Sequence, residues 1–137
     1  MMLSLPCGKV RVACAEFRVR ILIVDDEALV RWSLSSGLRA AGYDVVTASS
    51  GSEALKLARD RPTPNVVLLD LHLYGVDAYK LIDEIRALAP DCRFLVLTTA
   101  AQAAPIARRG SVTVVSKPFD LGAVVDLIAF IAACASR

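Results

Sequence analysis

Short segments of high β propensity recur along the chain and alternate with segments that carry apolar residues at helical spacing. Strands are predicted over residues 19–24, 43–48, 65–69, 93–97 and 112–115. Continuous apolar runs such as VVLL are typical of strands that are buried on both faces of a sheet. Alternating strands and helices predict an α/β fold with a parallel sheet covered by helices on both sides. In such a sheet, ligands bind beyond the carboxyl ends of the strands.

The segments between the strands predict five helices, over residues 27–41, 50–59, 77–88, 100–109 and 120–134. Gly42 is the predicted C-terminal cap of the first helix. The predicted N-caps of later helices are Ser50 or Ser52, Asp77 and Asp120. We expect the fourth helix to be poorly formed because a proline interrupts it. In the last helix the residues predicted to face inward are Leu121, Val124, Val125, Ile128 and Ile131.

Composition fits a single compact domain, because 55% of the 137 residues are hydrophobic. No apolar run is long enough to cross a membrane. The net charge is +2 with scattered lysine and arginine, so direct nucleic-acid binding is not expected. The four cysteines lack metal-site spacing, which favours free thiols in a reducing cytoplasm. Residues 1–18 lack the apolar core of a signal peptide and are predicted to be an N-terminal tail, either disordered or carrying an edge strand at residues 9–12.

Polar residues follow four of the predicted strands: Asp25, Asp26 and Glu27 after the first, Asp70 after the third, Thr98 and Thr99 after the fourth, and Ser116 and Lys117 after the fifth. Taken alone, each has an ordinary structural explanation as a helix cap, a turn residue or a solvated loop residue. Their joint occurrence at the ends of different strands favours a functional site. If the first and third strands are neighbours, three carboxylates, a hydroxyl and an ammonium group converge on one edge of the sheet.

A cluster of three carboxylates is repulsive unless a cation joins it. Oxygen ligands suit a hard, octahedral cation such as Mg²⁺, and a bound Mg²⁺ can contact phosphoryl oxygens. A carboxylate can also act as a nucleophile and form an aspartyl phosphate. A lysine and a threonine can then contact the phosphoryl oxygens and offset their charge. These residue types therefore favour phosphoryl chemistry assisted by Mg²⁺.

The segments ILIVDDE, VVLLDLHLYG, LVLTT and VSKPF occur in this order along the chain. Together they resemble the receiver domain of bacterial two-component response regulators, over residues 19–134. The resemblance implies a doubly wound, five-stranded parallel sheet of the flavodoxin-like type, with strand order 2-1-3-4-5 and here a degenerate fourth helix. It implies a receiver domain over residues 19–137, as a single-domain regulator or as part of a longer protein.

Family resemblance also implies roles for the acidic residues. Asp70 matches the phosphoacceptor, which takes a phosphoryl group from a histidine kinase or a phosphotransfer protein. Asp25 and Asp26 match the acidic pair that holds Mg²⁺. Asp70 itself and the backbone carbonyl of His72 match the remaining protein ligands of the ion.

The same resemblance implies a switch. Thr98 matches the hydroxyl that moves toward the phosphoryl group, and Lys117 matches the lysine that contacts it. The bond between Lys117 and Pro118 is expected to be cis. The implied function is phosphorylation-controlled signalling in the cytoplasm, without enzymatic action on other substrates. Implied partners are the phosphodonor, an output domain or partner protein, and a second copy docked through the fourth helix, the fifth strand and the last helix.

Two alternatives stay open. A receiver-like interaction module that works without phosphorylation is favoured by the short segment between Thr98 and Lys117, and by Val114 at a position where an aromatic switch residue is usual. A haloacid-dehalogenase-like phosphohydrolase would share the aspartate nucleophile and Mg²⁺, but His72 stands where such enzymes have a second acid. His72 is interpreted as a partly exposed loop residue, and tuning of the phosphoryl lifetime is the sharper hypothesis.

Overall fold

The computed structural model describes residues 18–73, 75–99 and 112–135. Its strands are β1 (Arg20–Val24), β2 (Asp44–Ala48), β3 (Val66–Asp70), β4 (Arg93–Thr98) and β5 (Val112–Ser116). Its helices within those ranges are α1 (Ala28–Ala40), α2 (Gly51–Arg59), α3 (Ala78–Leu88) and α4 (Leu121–Ala135). The observed strands therefore agree closely with the predicted ones.

All strand pairs are parallel, and the sheet has the order β2-β1-β3-β4-β5. The predicted flavodoxin-like architecture and strand order are confirmed. β3 lies at the centre and every one of its residues is buried, as its continuous apolar run requires. The order makes β1 and β3 direct neighbours, with Val24 in register with Leu69.

The core has two halves, one on each face of the sheet, because successive strand residues point to opposite sides. Ile21 and Ile23 pack in the half that also contains apolar residues of α1 and α4. Leu22 and Val24 pack in the half that contains apolar residues of α2 and α3. Helices on both faces explain why the strands carry few polar residues before their carboxyl ends.

Local caps fix the ends of the helices. Ser50, and not Ser52, is the N-cap of α2, and its hydroxyl accepts a hydrogen bond from the Glu53 amide. Asp77 caps α3, and Asp120 accepts a bond from the Ala123 amide at the start of α4. After α1, Gly42 adopts φ +99°, and the amides of Gly42 and Tyr43 donate to the carbonyls of Arg39 and Leu38. This Schellman motif confirms the predicted glycine cap.

Helices α4 and α1 each expose apolar side chains outside the stripe that packs against the sheet. Leu121 was predicted to face inward from α4 but is 37% exposed, because it lies in the first turn and lines a cavity open to solvent together with Leu29 and Phe119. Val124, Ile128 and Ile131 are buried as predicted. On α1, Leu29 and Trp32 are 74% and 66% exposed.

Several predictions concern residues outside the described ranges. They are the first 17 residues of the tail predicted over residues 1–18, its edge strand at residues 9–12, the degenerate fourth helix over residues 100–109, and the part of the dimer face that this helix would form. In the described part of the chain, no helix combines the length and apolarity needed to span a bilayer.

Candidate functional site

The carboxyl ends of β1, β3, β4 and β5 gather the predicted site residues at one edge of the sheet. Strand register explains this, because Asp70 pairs with Leu97, and Thr98 pairs with Ser116. Lys117 follows β5 directly, and its amide donates a 2.6 Å hydrogen bond to the Thr98 carbonyl. The polar residues at the four strand ends therefore lie together, as the sequence predicts.

Three carboxylates form an acidic cluster, consisting of Asp25, Asp26 and Asp70. One oxygen from each lies within 4.8 Å of the others. Asp25 and Asp70 are 1% and 3% exposed, whereas Asp26 is exposed. Such a set of oxygen donors could hold a hard cation.

Asp25 is the member of the acidic cluster whose pKa is clearly shifted. Its Oδ1 accepts a 2.8 Å hydrogen bond from the Glu27 amide, while the buried Oδ2 has no hydrogen-bond partner among the described residues. Burial raises the pKa of Asp25 to about 6; the Glu27 amide opposes that rise and the charge of Asp70 adds to it. A cation beside Oδ2 would satisfy this oxygen and stabilise the ionised carboxylate against the effect of burial, so the donor set fits Mg²⁺.

Within the described part of the chain, Asp70 accepts hydrogen bonds through one carboxylate oxygen. Its Oδ1 accepts a 3.1 Å charged hydrogen bond from Lys117 Nζ and a 3.0 Å bond from the His72 amide. Lys117 and Pro118 are joined by a cis peptide bond, as predicted. The ammonium group of Lys117 gives the buried Asp70 charge a direct partner.

Thr98 is completely buried, and its hydroxyl contacts the imidazole of His72. Thr98 Oγ1 lies 3.2 Å from His72 Nε2, and the Thr99 amide donates a 3.4 Å bond to the same nitrogen. His72 is exposed, as predicted, but it is not an isolated loop residue. Sequence reasoning missed this contact, because it depends on the register of β3 against β4 and on the turn after Asp70.

Val114 lies in β5, in register with Val96 of β4. It is partly buried and packs against the half of the core that faces α2 and α3. Val114 gives this position aliphatic packing, where the resemblance to receiver domains implies that an aromatic residue is usual.

A cavity of about 470 Å³ opens beside the site, between the start of α1 and the loop after β5. Its lining combines charged and apolar side chains: Glu27, Val30, Lys117, Pro118 and Phe119. The Asp70 partner Lys117 thus borders a space that is accessible from solvent.

Comparison with known proteins identifies the family. The family model described as response regulator receiver domain matches residues 21–129. The chain therefore belongs to the response regulator receiver domain family, and the predicted resemblance is confirmed. Receiver domains are signalling domains of two-component systems, so the family assignment favours signalling over the phosphohydrolase alternative.

Individual relatives agree with this assignment. The DNA-binding transcriptional regulator NtrC of Klebsiella pneumoniae is 32% identical over 109 residues, which cover 77% of this chain and 23% of NtrC. The chain thus spans about a quarter of the length of that curated relative. The receiver domain of the hybrid histidine kinase CckA has 27% identity and a TM-score of 0.71, covering 82% of this chain and 98% of that structure. NtrX from Brucella abortus has 27% identity and a TM-score of 0.78, covering 88% and 28%.

Proposed function

We propose that the chain is a phosphorylation-controlled signalling switch, in which Asp70 accepts a phosphoryl group from a histidine kinase or a phosphotransfer protein. The observation that carries this proposal is the position of Asp70. Its buried carboxylate lies in an acidic cluster and contacts Lys117 Nζ at 3.1 Å. A nucleophilic carboxylate needs nearby cations to approach a phosphoryl group, because both carry negative charge.

The two oxygens of Asp70 suggest how the transfer runs. Among the described residues, both hydrogen bonds to this carboxylate end on Oδ1. Oδ2 is then the oxygen that attacks phosphorus. The new P–O bond forms as the P–N bond of the phosphohistidine donor breaks, and the electron pair of that bond goes to the departing imidazole nitrogen. Asp70 is left as an acyl phosphate, and the Lys117 ammonium can follow the charge from Oδ1 to the phosphoryl oxygens.

Mg²⁺ is the cofactor we propose for the acidic cluster. Asp25, Asp26, Asp70 and the backbone carbonyl of His72 are the residues that would hold it. When bound, the ion offsets negative charge on the carboxylates and on the phosphoryl oxygens. Oδ2 of Asp25, which has no hydrogen-bond partner among the residues the structure describes, and the raised pKa of that residue support a cation at this point.

Thr98 is the residue we propose to respond to phosphorylation. Its hydroxyl would leave its present contact with His72 and donate a hydrogen bond to a phosphoryl oxygen. The Lys117 amide donates a hydrogen bond to the Thr98 carbonyl. A movement of Lys117 toward the phosphoryl group would therefore also act on the carboxyl end of β4. The output would be carried by an output domain or a partner protein, with no direct nucleic-acid contact by this chain.

The remaining proposals concern context. We place the receiver domain at residues 19–137 after the tail of residues 1–18, and we assign it to the cytoplasm, where histidine kinases supply phosphoryl groups. A second copy would dock through the helix predicted at residues 100–109, together with β5 and α4. The domain would catalyse no reaction beyond its own phosphotransfer and dephosphorylation.

Incubation with acetyl phosphate and Mg²⁺, followed by intact-mass measurement, tests the proposal. The wild-type protein should gain one phosphoryl group, and the gain should disappear with EDTA. Asp70→Asn should gain none, whereas Asp126→Asn, which removes an exposed carboxylate of α4, should behave like wild type. Labelling of Asp70→Asn at the wild-type level would reject the assignment, and no labelling of any variant would favour the interaction module.

A further inference from the structure

The imidazole of His72 holds the hydroxyl that the proposed switch requires. His72 and Thr98 are 26 residues apart, and their Nε2 and Oγ1 atoms lie 3.2 Å apart. Thr98 is 0% exposed, so water cannot readily replace this contact. The contact lies beside Asp70, because the His72 amide donates to Asp70 Oδ1.

A second contact fixes which ring nitrogen carries the proton. The Thr99 amide donates to His72 Nε2 at 3.4 Å, and an amide can only donate. Nε2 must therefore present its lone pair, which places the imidazole proton on Nδ1. With no hydrogen on Nε2, the hydroxyl of Thr98 has to be the donor in the bond that it shares with His72.

One hydroxyl has one proton to donate. While Thr98 donates to His72, it cannot donate to a phosphoryl oxygen on Asp70. We propose that His72 is a positioning residue that restrains Thr98 in the unphosphorylated state and competes with the phosphoryl group for its hydroxyl. This inference rests on the proposed function, in which Thr98 responds to phosphorylation of Asp70.

The strength of this restraint sets the expected effect. A neutral hydrogen bond changes an equilibrium constant by a net factor of roughly three to ten. Both bonds to Nε2 are long and share one lone pair, so the restraint is one that a phosphoryl group can overcome. Removing the imidazole should therefore favour the phosphoryl-bound state by roughly threefold to tenfold.

Binding of beryllofluoride, a mimic of the acyl phosphate, measures this effect without hydrolysis of the phosphoryl group. With Mg²⁺ present, His72→Ala should bind beryllofluoride roughly threefold to tenfold more tightly than wild type. His72→Gln should stay close to wild type, because its side-chain oxygen can accept the Thr98 hydrogen bond. Both substitutions lie in an exposed turn, so the fold should tolerate them.

A double-mutant cycle with Thr98→Val separates the restraint from a general effect of position 72. In the Thr98→Val background, His72→Ala should no longer change the affinity for beryllofluoride. An equal gain in both backgrounds, no gain in either, or a loss on His72→Ala would overturn the inference.

The imidazole tautomer gives a readout that does not depend on phosphorylation. In ¹⁵N NMR of the metal-free protein, His72 should have its proton on Nδ1. A predominant Nε2–H tautomer would also overturn the inference. If wild type and Asp70→Asn both fail to bind beryllofluoride, the proposed function is rejected together with this inference. If binding depends on Asp70 but the effects of His72→Ala and Thr98→Val are additive, only the restraint by His72 is rejected.

Discussion

The ammonium nitrogen of Lys117 lies 3.1 Å from Oδ1 of Asp70, although the two residues are 47 positions apart in the chain. The contact joins the central strand to an edge strand across the carboxyl end of the sheet. Asp70 is almost completely buried and Lys117 is only partly buried, so the lysine can move while the carboxylate stays fixed. A fixed acceptor with an adjustable cation suits a carboxylate that gains and loses a phosphoryl group.

Replacing this cation should slow phosphorylation. Lys117→Gln keeps a polar side chain but removes the charge that offsets the approaching phosphoryl oxygens. We expect the initial rate of labelling by acetyl phosphate to fall by about a hundredfold, as for the loss of one donor to a developing anion. Lys80→Gln, which changes an exposed lysine of α3, should label at the wild-type rate. Equal rates for both variants would show that Lys117 has no part in the transfer.

The raised pKa of Asp25 predicts a pH-dependent stability in the metal-free protein. Its folded-state pKa of about 6 exceeds the ordinary 3.8, so the folded state binds this proton more tightly than the unfolded state. The resulting stabilisation is complete below pH 3.8 and is lost as the pH rises through about 6. Asparagine has no carboxyl group to ionise, so Asp25→Asn should not lose this stabilisation as the pH rises.

Urea unfolding in EDTA across this pH range measures the difference. At pH 8 we expect Asp25→Asn to exceed wild type in free energy of unfolding by roughly 1–3 kcal/mol. The two proteins should converge at the acid end of the range. Parallel curves for the two proteins at all pH values would contradict the proposed cause.

Mg²⁺ should stabilise the protein through the acidic cluster. At roughly a hundred times its Kd, a ligand that binds only the folded state raises the free energy of unfolding by about 2.7 kcal/mol. Asp26→Asn should weaken Mg²⁺ binding by at least tenfold or so and remove about 1.4 kcal/mol of this gain. The Mg²⁺ effect is the difference in free energy of unfolding with and without the ion in each protein, so a change in metal-free stability does not enter the comparison. An undiminished Mg²⁺ effect in Asp26→Asn, measured by urea unfolding, would exclude this residue as a ligand.

Asp77 should affect stability without affecting the site. Its carboxylate accepts hydrogen bonds from the amides of Tyr79 and Lys80 at the start of α3. Asp77→Ala should lower the free energy of unfolding by about 1 kcal/mol, while Asp77→Ser should retain most of it. Labelling by acetyl phosphate should match wild type in both variants at a temperature where they remain folded. Loss of labelling in folded Asp77→Ala would link this cap to the site.

The fold and the site positions could be predicted because they follow from local patterns. The run before Asp70 is apolar without interruption, which indicates a central strand and places the aspartate at its carboxyl end. Thr98 ends β4, while Asp25 and Lys117 directly follow β1 and β5, and parallel strands bring such residues to one edge. The caps at Gly42 and Asp77 also follow from short-range chemistry.

Features that depend on register or on side-chain direction could not be predicted in this way. The bond between His72 and Thr98 needs both the pairing of β3 with β4 and the course of the turn between them. Trp32 is apolar but exposed, because Leu34 and Leu38 occupy the face of α1 that packs against the sheet. The helical period alone does not show which of the apolar residues lie on that face.

The most direct test of the central claim is to map the phosphorylated residue. After labelling with acetyl phosphate and Mg²⁺, reduction with borohydride converts an aspartyl phosphate to homoserine, which peptide mass spectrometry can locate. The proposed function predicts homoserine at position 70 alone, with none in samples labelled in EDTA. Homoserine at another aspartate, or stoichiometric phosphate that resists reduction, would contradict the claim that Asp70 is the phosphoacceptor.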